Sequence, residues 1–139
     1  MKKTSKIFAL AMTLVMIVSA AMIFTSCGGP ETFEEFVNSN EELKTQIDGI
    51  AQSDDYGAMT VEVKENKIIY TYKYSQTYDS AAVEQMKTYF EEYMDDLGAQ
   101  FEDIAKTCEE QSEITGITVD VIYLNGDDAE LFKATYSAK

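Results

Sequence analysis

Histidine and tryptophan are absent from the 139 residues, and so is arginine, because all eleven basic residues are lysines. Without histidine the chain lacks the commonest general base, metal ligand and partner of a nucleophilic serine or cysteine. Cysteine occurs twice, as Cys27 and Cys108, and no paired-cysteine zinc pattern can be drawn. No glycine-rich phosphate loop follows a predicted strand. Positive charge is scarce as well. Beyond residue 26 there are 8 lysines against 25 acidic residues, a net charge of −17. A body this acidic is repelled by nucleic acid phosphates and by anionic lipid headgroups, so nucleic acid is excluded as a partner.

The first thirty residues carry no acid at all. After Lys2, Lys3 and Lys6 no charge occurs until Glu31, and residues 7–24 form an apolar run that ends in Thr25-Ser26-Cys27. A basic start followed by an apolar stretch is an export signal whose lysines stay in the cytoplasm. The small residue Ser26 directly before Cys27 resembles the lipobox. That resemblance implies a diacylglyceryl group on the Cys27 thiol and cleavage before it, although Phe24 stands where the pattern usually carries leucine. Two other readings of the segment stay open: an uncleaved membrane anchor over residues 7–24, and cleavage at Ser19-Ala20-Ala21. The expected organisation is therefore a signal over residues 1–26, a lipidated cysteine with a short linker over 27–31, and one domain over 32–139. The spacer Gly28-Gly29-Pro30 with Glu31 makes four residues, which reach roughly 14 Å at most and hold the domain close to the membrane.

Within the domain, Thr32-Phe33-Glu34-Glu35 and Ser39-Asn40-Glu41-Glu42 are helix-start signals, predicting a short helix over 33–37 and a longer one over 40–52. Phe33, Phe36, Val37, Leu43, Ile47 and Ile50 supply their inward faces. Residues 59–64 and 68–75 alternate with period two about Glu65-Asn66, a hairpin that sets Val61 opposite Tyr70 and Val63 opposite Ile68. Asp79 caps a long amphipathic helix over 80–112, whose stripe is Val83, Met86, Phe90, Tyr93, Leu97, Phe101, Ile104 and Cys108. Cys108 on that stripe reads as a small core residue, and Gly98 as a bend. A second hairpin runs through 117–124 and 131–136 about Asn125-Gly126-Asp127-Asp128. A four-residue loop there sets Val121 opposite Phe132, Ile117 opposite Tyr136 and Asp120 opposite Lys133. The fold class is α+β: helix, hairpin, long helix, hairpin, with a four-stranded antiparallel sheet and helices mainly on one face. Pattern alone leaves the strand order open.

Several of these stretches together resemble an uncharacterised family of small lipoproteins of low-GC Gram-positive bacteria, a domain of unknown function. They are the Ser26-Cys27 junction, Thr32-Phe33-Glu34-Glu35-Phe36-Val37, Ile68-Ile69-Tyr70-Thr71-Tyr72, the long acidic helix, and Ile117-Thr118-Val119-Asp120-Val121-Ile122-Tyr123-Leu124-Asn125-Gly126. The resemblance spans essentially all of the chain after Cys27. It implies a location and a shared fold, and carries over no catalytic or binding residue.

Candidate chemistry is thin. The pairs Asp54-Asp55, Asp95-Asp96 and Asp127-Asp128 are adjacent in turns or on a helix, where neighbouring side chains point about 100° apart and cannot share a proton. Asn125-Gly126-Asp127-Asp128-Ala129-Glu130 has the oxygen content of a calcium loop without its twelve-residue spacing, and a hairpin tip explains the same residues. The tyrosines at 70, 72, 74, 78, 123 and 136 read as a ligand groove or as core-edge packing with the hydroxyls in water. Ile122, Leu124 and Leu131 form a candidate interaction patch on the open face of the sheet, unless the first helix covers it. No catalytic residue, metal ligand or cofactor is assigned. The expectation is a non-catalytic, membrane-anchored extracytoplasmic lipoprotein that binds an unidentified envelope protein. The alternatives are a small-ligand or cation carrier and, behind it, a carboxylate-dependent hydrolase.

Overall fold

The computed structural model describes residues 29–53 and 55–139. Thr32 opens α1 (Phe33–Asn38): its hydroxyl accepts the Glu35 amide at 3.2 Å, and the Glu35 carboxylate accepts the Glu31 amide at 2.8 Å. Both bonds satisfy N–H groups that a helix start leaves without a partner. Asn40 does the same for α2 (Glu41–Asp48), accepting the Leu43 amide at 3.0 Å. This helix ends short of the expected span. Gly49 caps it, and β1 (Gln52–Ser53) pairs at the edge of the sheet.

β2 (Gly57–Lys64) and β3 (Lys67–Tyr74) form the first hairpin, with Val61 opposite Tyr70 and Val63 opposite Ile68 as their alternation requires. Their turn is tied to α1. The Glu34 amide donates to the Glu65 carbonyl at 2.8 Å, the Glu65 amide to the Glu34 carboxylate at 2.7 Å, and the Phe33 amide to the Asn66 side-chain oxygen at 2.9 Å.

Asp79 caps α3 (Ser80–Ser112), accepting the Ala82 amide at 2.9 Å. At 1.5 Å per residue this helix is about 50 Å long, nearly twice the ~26 Å of an eight-residue strand. Its fully buried residues begin at Phe90 and end at Cys108, a stretch of about 27 Å that matches the sheet beneath it. Met94 and Ala105 join the buried stripe, while Val83, Met86, Tyr93 and Leu97 flank it half-buried. Gly98 faces the sheet: a Cβ there would lie 2.8 Å from the Tyr136 ring, so the missing side chain lets that ring lie against the helix backbone.

The helix ends at Glu113, held in the left-handed region with φ of 60°. Glycine adopts that conformation without a Cβ clash, and losing a carboxylate there removes repulsion from the helix C-terminus. Glu113→Gly is therefore expected to stabilise the domain by about 1 kcal/mol in urea denaturation. A lower urea midpoint would contradict the cap.

Because α3 runs back along the sheet, β4 (Thr118–Leu124) starts at the same end as β3 and lies parallel to it, from Lys67 opposite Thr118 to Lys73 opposite Leu124. The expected all-antiparallel sheet is thus corrected to a mixed one, since a crossover helix joins parallel neighbours. β5 (Glu130–Ser137) returns antiparallel, and the spatial order is β1-β2-β3-β4-β5. The second hairpin is also shifted by two residues from expectation: Val121 faces Ala134, Val119 faces Tyr136 and Asp120 faces Thr135. Five residues rather than four connect the strands, and a bulge follows at Leu131.

Met59, Ile68, Tyr70, Tyr72, Val119, Val121 and Tyr123 share one face of the sheet and are buried with the apolar residues of α1, α2 and α3. Phe90 stacks on Tyr123 with ring centroids 4.4 Å apart.

Candidate functional site

The opposite face of the sheet has another character. Ile122 and Leu124 follow each other along β4 opposite Thr71 and Lys73, with Ile69 of β3 diagonal to Ile122, and each of the three is partly exposed. Asp120, 5% exposed, is the only buried residue on this face among those described. Its Oδ1 accepts the Thr135 hydroxyl at 2.7 Å from β5.

Charge is nearly balanced here. Lys64, Lys67, Lys73 and Lys133 are set against the exposed Glu62, Glu130 and Asp128, the last an ion pair to the Lys73 ammonium at 2.7 Å, with Asp120 buried beneath them. Four lysines and 21 acids remain for the rest of the chain after residue 26, so the whole net charge of −17 lies off this face. Of the three residues expected as a patch, Ile122 and Leu124 are here and Leu131 is not. The bulge turns Leu131 inward, where it is 3% exposed in the core. Ile69 takes its place, and period-two alternation with Thr71 and Lys73 carried that signal.

The tyrosines divide in two. Tyr70, Tyr72 and Tyr123 are core residues on the central strands, while Tyr74, Tyr78 and Tyr136 are half-buried. The hydroxyls of Tyr70 and Tyr123 are buried with no hydrogen-bond partner, where edge packing would have left them in water. Burial raises both above the usual phenol range; Cys108 adds to this at Tyr70, and neighbouring phenols led by Tyr74 add to it at Tyr123. The Cys108 thiol is fully buried, and burial pushes its pKa up to about 12, with the Glu109 charge adding to the shift. A thiol in that state is no nucleophile.

The 125–130 loop is structural. The Asn125 side chain accepts the Tyr78 amide at 2.8 Å and the Gly126 amide at 3.0 Å, and donates to the Tyr78 carbonyl at 3.0 Å. This two-way pairing clasps the loop to the chain leading into α3. Gly126 allows the close approach, since a Cβ there would lie 2.6 Å from the Thr77 hydroxyl. Asn125 is 3% exposed, so Asn125→Ala strands buried polar groups on Tyr78 and is expected to cost about 2–3 kcal/mol. Urea denaturation with an unchanged slope checks it, and a loss under about 1 kcal/mol would mean that water replaces the clasp.

Asp127 accepts the Ala129 amide at 3.1 Å and Asp128 holds Lys73, so the loop carboxylates are turned to separate tasks. Asp95 and Asp96 are exposed on α3, and Asp54 and Cys27 lie outside the described residues. Among the described residues, no group of three or more histidine, cysteine or acidic side chains is placed to hold a metal ion. No described helix is long and apolar enough to cross a membrane.

These features define an α+β domain with a mixed sheet, one face sealed by helices and the other presenting a charge-balanced strip with an apolar centre. Residues 33–136 match the model of a domain of unknown function, DUF4854, and the chain belongs to that family. No curated protein and no solved structure matches it.

Proposed function

We propose that this protein is a non-catalytic interaction module held on the outer side of the cell membrane by a diacylglyceryl group on Cys27. The observation that carries the interaction reading is the one-sided cover of the sheet. Ile69, Ile122 and Leu124 stay partly exposed on the open face, while the buried residues of the opposite face join the core that the helices complete. Such a strip, ringed by polar residues, is the usual form of a protein-binding surface. The anchoring reading rests on the charge-free apolar run between Lys6 and Glu31 and on the Ser26-Cys27 junction. Two acyl chains hold firmly, because each buried methylene contributes about 0.8 kcal/mol.

Cys27→Ala is expected to abolish incorporation of radiolabelled fatty acid and to release the protein from the membrane fraction. Undiminished labelling would refute the anchor. For the interaction, Leu124→Lys should leave thermal unfolding unchanged and remove the crosslinked species that the wild type forms in intact cells.

A further inference from the structure

We infer that the open face of the sheet is a self-association surface, on which a second copy of this chain docks face to face about a two-fold axis. An isologous contact needs a surface complementary to itself, and a patch carrying both charges in near balance can meet its own copy without net repulsion. This face carries four lysines and the three exposed acids Glu62, Glu130 and Asp128, with Asp120 buried beneath them, whereas the remainder of the chain beyond residue 26 carries four lysines and 21 acids. A second copy is repelled from the acidic helix side and meets nearly balanced charge here. Stacking these faces also points the two α3 helices outward. Their exposed acids, among them Glu91, Glu92, Asp95 and Asp96, then stand about 30 Å apart, several Debye lengths of about 8 Å.

Ile69, Ile122 and Leu124 supply the apolar centre of such a contact, and the side chains of two facing sheets interdigitate across about 10 Å. The area sets the strength. Four strands about 4.8 Å apart and about 26 Å long present roughly 500 Å² per copy, or about 1,000 Å² in all. That is the lower bound for a specific interface and corresponds to a weak, concentration-dependent dimer. This inference rests on the open face being an interaction surface and is independent of how the chain is anchored.

The test has two arms, both on the full chain. In detergent, sedimentation equilibrium should show a monomer–dimer equilibrium, weakened about tenfold or more by Ile122→Lys and unaffected by Glu91→Lys on the outer helix face. Equal thermal midpoints for the two variants exclude misfolding as the cause. In intact cells, a photo-reactive amino acid at position 71, on the open face, should give an adduct with a second copy, and one at position 91 should not. A monomer at all concentrations, or equal weakening by both variants, overturns the inference. So does an adduct formed only with a different protein, an outcome that leaves the interaction reading intact. The Cys27→Ala form should dimerise as the wild type does, which keeps failure of the anchor distinct from failure of the dimer.

Discussion

Phe101→Ala is expected to destabilise the domain by about 3–5 kcal/mol, the range for truncating a buried aromatic ring. Phe101 is 2% exposed, lies edge-on to Tyr70 of β3 at 6.0 Å and stacks on Tyr136 of β5 at 5.3 Å. One ring thus spans three strands, and its loss opens a cavity that neither neighbour fills without leaving its own strand. A small domain has about 5–15 kcal/mol in total, so the variant should melt roughly 15–30 °C lower or fail to give a cooperative transition. Phe132→Ala, at a half-buried position, provides the comparison and should cost less. Equal losses at the two positions would refute the placement of Phe101 at the centre of the core.

Raising the pH should unfold the protein in a steep alkaline limb. The folded state holds the protons of Tyr70, Tyr123 and Cys108 beyond their ordinary range, chiefly because burial penalises the charged forms. The unfolded chain releases its thiol proton near pH 8.5 and its phenol protons near pH 10. Folded pKa values above the unfolded ones mean that this contribution is complete below about pH 8 and is withdrawn as pH rises. Each group withdraws about 1.4 kcal/mol per pH unit once its unfolded form is fully ionised, so the three together remove about 3 kcal/mol between pH 10 and 11. Urea midpoints from pH 8 to 11, read beside tyrosinate absorbance, check this. Absorbance ahead of unfolding that is smaller in Tyr123→Phe than in the wild type would show that this hydroxyl reaches water. Tyr123→Phe should flatten the limb by about a third. It should also stabilise the neutral-pH protein by about 1 kcal/mol, since the hydroxyl it deletes has no partner.

Local chemistry made much of the architecture legible. Thr32, Asn40 and Asp79 each bond the amide three residues on, because a helix start must satisfy its free N–H groups wherever it lies in a fold. The first hairpin's register followed from period-two alternation about a two-residue turn, where slipping by one residue would invert every side chain. The second hairpin was missed by two residues. A slip of two keeps each side chain on its face, so alternation cannot detect it; the loop length and the Leu131 bulge set the register. That bulge also turns Leu131 into the core, where spacing alone put it on the open face.

Helix starts, strand faces and the acidic balance were thus settled along the chain, because each depends on residues within a few positions of one another. The parallel pairing of β3 and β4, the burial of two unpartnered phenols and the clasp at Asn125 depend on contacts between segments distant in sequence. Those contacts exist only once a 50 Å helix has been laid back along a 26 Å sheet. The same packing gathered nearly balanced charges onto one face and left the surplus acids on the others, a separation that no count of residues reveals.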